Sequence, residues 1–172
     1  KGEVTTDPYY GIGWEAIHNN PSACADSTAP LIDPERPRFW DAGVPEGNPG
    51  LNMGWARGYR WSDSVPVYTS FNTILPPNRE ICIGGGGDFD IGALPPSSRH
   101  QGGAHILMGD GAVIFMTDSV EAGDAHHPVV RRNGTINASH PGSRTGSKSP
   151  YGLWGALGTR DSNETIEEQL NQ

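Results

Sequence analysis

The sequence predicts a mainly β, α+β fold: a small antiparallel sheet with long irregular loops and a short C-terminal helix. Three observations carry this. Two apolar, β-branched-rich runs flank Asp110-Gly111 between residues 103 and 117, the grammar of a β-hairpin. Nowhere do long apolar strands alternate with amphipathic helices of ten or more residues, which removes a doubly wound parallel-sheet enzyme from consideration. Leu, Ile, Val and Phe supply only 31 of the 172 residues, against 24 Gly and 15 Pro. So thin an aliphatic content gives short elements and much loop, while 5 Trp and 5 Tyr restore bulky surface to bury. The length suits a single domain over 1–172, divided into a loop-rich segment 1–60, a β-rich core 61–160 and a tail 161–172.

In the first sixty residues Pro8, Pro21, Pro30, Pro34, Pro37, Pro45 and Pro49 interrupt every helical or strand run, since each lacks a backbone donor and restricts its predecessor. Tyr9, Tyr10, Trp14, Phe39, Trp40, Trp55, Tyr59 and Trp61 lie between them, either as anchors that tether loops to a sheet or as an exposed platform for sugar or a partner. Val65 to Phe71 reads as an edge strand, barred from a central position by Pro66. Residues 73–78 form a stiff extended segment. The run Gly84 to Gly87 reads as a flexible loop, because no Lys-Ser/Thr follows it as a phosphate cradle requires.

The hairpin over 103–117 carries apolar residues on both faces of its strands, which predicts a place inside the sheet with both sides covered. Residues 129–136 repeat the pattern weakly around Asn133-Gly134, a second hairpin. Residues 137–150 read as a loop, and 151–157 return a hydrophobic plug to the body. The terminal helix falls within 161–170, with Ser162 or Asn163 as its cap.

Charge and hydropathy exclude some partners. The net charge of −8 has the wrong sign for a phosphate-backbone binder, so no nucleic-acid partner is expected. No apolar run approaches the roughly 18 residues a membrane helix needs, so no membrane contact is expected from this segment. Cys24 and Cys82 allow one bridge, whose long loop contributes about 4 kcal/mol on loop-entropy grounds; two buried thiols fit the spacing equally well.

The residues that bear chemistry do not form a recognisable catalytic set. No close His pair of the zinc-helix kind exists among the six histidines, and His126-His127, beside Asp124, precede a proline in extended chain. His100 and Asp110 fall near opposite ends of a hairpin strand of roughly 17 Å, so His100 is read as satisfying backbone groups where the strand begins and Asp110 as shaping the turn. Asp88-Phe-Asp90 offers oxygen ligands to calcium, although the twelve-residue loop with its closing glutamate is absent. No Gly-x-Ser-x-Gly elbow occurs. Asn133, Asn137 and Asn163 begin glycosylation sequons.

Ser98-Arg-His100, nine residues, then Asp110-Gly111 resembles the signature of the prepilin-like proteins abundant in planctomycete bacteria, the domain-of-unknown-function 1559 family. Three further stretches agree in order: 58–63, 70–78 followed by Cys82, and 151–160. The signature positions are His100, Gly102, Gly103, Asp110 and Gly111. The resemblance implies a pilin-like α+β head, the C-terminal portion of a longer protein whose N-terminal pilin helix is absent from this chain. It implies a non-enzymatic structural subunit of an extracellular type IV pilin-like filament, pseudopilus or surface assembly. Such a subunit has an extracytoplasmic, cell-surface or secreted address, and its partners are further copies, other pilin-like subunits and the missing N-terminal region. That address favours the Cys24–Cys82 bridge. The alternative is an exported carbohydrate- or ligand-binding module using Trp40, Trp55 or Trp61.

Overall fold

The computed structural model describes residues 2–45, 50–51, 53–132 and 143–159. The elements in chain order are β1 (Tyr9–Tyr10), α1 (Trp14–Asn19), α2 (Ala23–Thr28), β2 (Gly50–Leu51), α3 (Pro66–Thr69), β3 (Cys82–Ile83), β4 (Gly92–Ala93), β5 (Gly103–Leu107), β6 (Val113–Thr117) and α4 (Gly152–Leu157), with short 3-10 turns at Ala29–Leu31 and Met53–Trp55. The described helices reach six residues at most, as the density of proline and glycine requires. Pro21 ends the first of them: Asn20, the residue before it, is extended at φ −158°, which is where the proline ring pushes its predecessor.

Four two-residue strands form a sheet in the order β2-β1-β3-β4. β1 pairs antiparallel with β2 and parallel with β3, and β3 pairs antiparallel with β4. Alternation along β3 places Ile81 and Ile83 against Tyr10, Val67, Tyr68 and Leu94, while Cys82 faces Ile17, Cys24, Ile74, Leu75, Ala93 and Tyr151. A third cluster gathers Val4, Trp40 and Val44. The bridge between Cys24 and Cys82 is formed, with Cα atoms 5.7 Å apart and 58 positions between them in sequence. It ties α2 to the central strand β3. The thin core thus has a covalent staple where its two largest clusters back onto each other.

β5 and β6 form a separate two-stranded antiparallel sheet, in the register Gly103↔Thr117 through Leu107↔Val113. The hairpin is present, but its predicted surroundings need correction. It does not lie inside a larger sheet, and only one of its faces is covered. Ala104, Ile106 and Met116 are buried against Trp154 of α4, with Ile114, Val120 and Leu157 around them. On the other face Leu107, Val113 and Phe115 are 71%, 63% and 44% exposed. Apolar patterning on both faces predicts two-sided burial, and this hairpin leaves one apolar face bare.

The edge strand expected over Val65 to Phe71 is instead α3. Pro66 occupies its first turn, where a missing N–H costs nothing and the ring's fixed φ suits the helix. In the 129–136 stretch Arg131 makes a parallel bridge to Arg144, and Asn133 to Ile136 lie outside the described residues, as do 137–142 of the expected loop, the terminal helix and the three sequons. The plug at 151–157 is α4, with Tyr151 and Trp154 buried.

Candidate functional site

Three rings line up on the bare face of the hairpin. His100 meets His105 edge to face at 5.3 Å between centroids, and His105 meets Phe115 at 5.1 Å. His105 and Phe115 are cross-strand partners in the register, and period-2 alternation sends both side chains to the side away from Trp154. Leu107 and Val113, the next odd-numbered pair, extend the face toward the turn. The resulting surface is aliphatic and aromatic, and none of the residues from Val113 to Thr117 carries a charge.

The signature residues build this platform. Gly102 holds φ +82° where the chain turns into β5. At Gly103 a Cβ would run into the backbone carbonyl of Met116, so the strands close there only around glycine. At the far end Gly111 N–H donates to Met108 O at 3.0 Å and Met108 N–H donates to Ala112 O at 2.8 Å. With Gly111 at φ +91°, this is a three-residue loop closed by a glycine bulge, not a two-residue turn. Asp110 accepts the Ala112 N–H on its Oδ1 at 2.9 Å, a side-chain bond that fixes the bend. His100 donates its backbone N–H to Ser98 Oγ at 3.0 Å, and its ring packs edge to face against His105 where the sequence suggested a backbone role. His100 and Asp110 sit at opposite ends of β5.

A groove of about 420 Å³ runs beside β5, lined by Arg57, Tyr68, Phe71, Pro96, His100 and His105 among others. Phe71 lies parallel to Trp154 at 6.5 Å between centroids. Arg57 closes the groove floor: its guanidinium donates to the carbonyls of Pro95 and Ser70, and burial lowers its pKa to about 10, which still leaves it charged at neutral pH. Arg57, Phe71 and His105 were not singled out from sequence. His105 could have been found, since strand alternation pairs it with Phe115; nothing local marks Arg57.

The other candidate groups are committed elsewhere. Buried Asp88 accepts the Tyr68 hydroxyl at 2.6 Å and lies 3.9 Å from Arg60, while Asp90 accepts the Gly87 N–H at 3.0 Å. The two carboxylates offered to calcium therefore face a tyrosine and a turn amide. The carbonyls of Gly84 and Gly85 accept the N–H groups of Gly13 and Gly11, so the glycine run is pinned to the start of α1. Asp124 takes the His126 N–H on its carboxylate at 3.0 Å, and His127 Nδ1 lies 2.8 Å from Pro128 O. Among the described residues no three His, Cys, Asp or Glu side chains converge as a metal site needs. Trp40 is fully buried, Trp55 is half-buried with its ring against Tyr10, and Trp61 is 80% exposed beside exposed Tyr59. Of the three tryptophans offered to a ligand, Trp61 alone is open to one.

The family described as protein of unknown function (DUF1559) matches residues 12–123, a span from the start of α1 to just past β6 that contains both cysteines and the whole hairpin. No curated protein and no solved structure matches the chain.

Proposed function

The chain belongs to the family of proteins of unknown function DUF1559, and on that premise we propose that it is a non-enzymatic structural subunit of an extracytoplasmic, type IV pilin-like filament, pseudopilus or surface assembly. The bare hairpin face carries this reading. Leu107, Val113 and Phe115 stand exposed on a rigid ribbon whose other side is sealed onto Trp154. An apolar patch held rigid in this way marks a surface meant to be covered by polypeptide. The Cys24–Cys82 bridge suits an oxidising compartment. Electron microscopy of the native cell-surface material tests the proposal: ordered fibres or arrays containing the chain are expected, and monodisperse particles without higher-order contacts overturn it.

A second reading is favoured by one observation, the outward display of Tyr59 and Trp61. Flat exposed rings suit the apolar faces of sugars. Quenching of tryptophan fluorescence by polysaccharide, lost in Trp61→Ala, is expected on this reading.

A further inference from the structure

From the hydrogen-bond parity of the hairpin we infer that the outer edge of β6 pairs antiparallel with the same edge of a second copy, across a two-fold axis at Phe115. This deepens the subunit reading and rests on it, because it names the partner of the same ribbon. The parity follows from the ends of the ladder. Met108 N–H donates to Ala112 O, and Asp118 N–H donates to Gly102 O. Even-numbered residues therefore hydrogen-bond across β5 and β6, and the N–H and C=O groups of Val113, Phe115 and Thr117 point away from β5. Among the described residues no strand pairs with that side of β6, and of these outward groups Thr117 O accepts a backbone hydrogen bond, from the Val120 N–H at 3.1 Å.

Edges of this kind are normally blunted by a lysine, a proline or a bulge. The run Val113-Ile-Phe-Met-Thr117 has none of these. A second copy fits it because the edge is its own complement. With Phe115 opposite Phe115 of the other copy, Val113 faces Thr117, and each outward N–H meets an outward C=O. The two Phe115 rings become direct cross-strand neighbours. Charge permits the approach: the chain carries −8 overall, but 113–117 is neutral and the nearest acids, Asp110 and Asp118, lie beyond the strand ends. A five-residue strand pair buries far less than the roughly 1,200 Å² of a stable interface, so the contact is weak between isolated copies and gains strength in an array.

The test is a concentration series of the ¹⁵N-labelled chain by NMR, from about 20 μM to about 1 mM, a range chosen for weak association. Shifts and growing exchange protection are expected at the amides of Val113, Phe115 and Thr117, with Ile114 and Met116 already protected at the lowest concentration. Added salt strengthens the effect by screening Asp110 and Asp118. Phe115→Pro removes one outward donor that β5 does not use and abolishes the dependence; Phe115→Lys does the same by setting like charges face to face. The absence of any concentration dependence overturns the inference, as does a response confined to other residues or one weakened by salt. If native assemblies persist with Phe115→Pro, the edge inference fails while the subunit reading stands. If the edge pairs in solution while native material is monodisperse, the subunit reading fails instead.

Discussion

The indole N–H of Trp154 donates to the carbonyl of Leu75 at 2.9 Å, across 79 positions of sequence. One side chain thereby joins α4, the Pro-rich 73–78 segment and the packed side of the hairpin, because its ring also contacts Ala104, Ile106 and Met116. Trp154→Ala is expected to cost about 3–5 kcal/mol, through lost burial and a carbonyl left without its donor. Trp154→Phe keeps most of the apolar contact and is expected to cost about 1–3 kcal/mol less than alanine. Urea denaturation of the two variants checks the difference; equal losses would show that the indole hydrogen bond to Leu75, not the packing of the ring, carries the contribution.

Reduction of the Cys24–Cys82 bridge, or the double change to alanine, is expected to destabilise by about 4 kcal/mol on the loop-entropy argument. The bridge joins α2 to β3, and the helices around it are too short to hold shape alone. Thermal unfolding with and without reductant measures the effect. A shift of less than a few degrees would mean that the clusters on either side of β3 suffice.

The sequence showed the hairpin, Gly111 at its turn and the plug at 151–157, because each rests on a local rule, turn chemistry or a short apolar run, whereas Gly102 and Gly103 came only with the family resemblance. Pro66 was legible as a strand excluder but not as a helix starter, since proline at a first helical turn and at a strand edge obey the same missing N–H. Two-sided apolar patterning in 103–117 predicts cover on both faces, yet only long-range packing decides which face Trp154 takes and which stays bare. Arg57 and the ring series His100, His105, Phe115 depend on segments distant in sequence, and residue type alone does not bring those together.

Tyr68 donates its hydroxyl to buried Asp88 at 2.6 Å, and its pKa is raised to about 12 by burial first and then by that carboxylate. Tyr68→Phe leaves Asp88 with one donor fewer and is expected to cost about 1–3 kcal/mol. The phenol holds its proton more tightly in the folded state than in the unfolded chain, so its contribution is complete below the ordinary value of 10.0 and is lost as pH rises toward 12. Absorbance titration at the phenolate band should show one late-ionising tyrosine fewer in the variant than in the wild type, since burial also raises the phenols of Tyr10 and Tyr151.

Asp7 offers the opposite sign to most carboxylates. It is buried, and desolvation raises its pKa above 3.8 despite the Thr6 hydroxyl and the Glu3 backbone, which oppose the shift. The folded state therefore binds this proton more tightly than the unfolded chain. Its contribution is present below 3.8 and is lost as pH rises through the folded pKa. Carboxyl carbon shifts followed by NMR are expected to place its midpoint above the ordinary Asp value; a midpoint at or below it contradicts the burial argument.

Substitutions on the bare face should separate stability from assembly. Leu107 and Val113 touch water over most of their surface, so Leu107→Ser and Val113→Ser remove little buried area and are expected to change stability by no more than about 0.5 kcal/mol each. Ile106→Ser and Met116→Ser act on the side packed against Trp154 and are expected to cost several times more, since each buries a hydroxyl and leaves a cavity. If the exposed residues serve assembly, the first pair abolishes higher-order structure in the native material while leaving the unfolding midpoint unchanged. Assembly that survives both changes would move the contact away from this ribbon. A large stability loss from either change would instead mean that the face is covered within the folded chain, and the surface argument would then lose its basis.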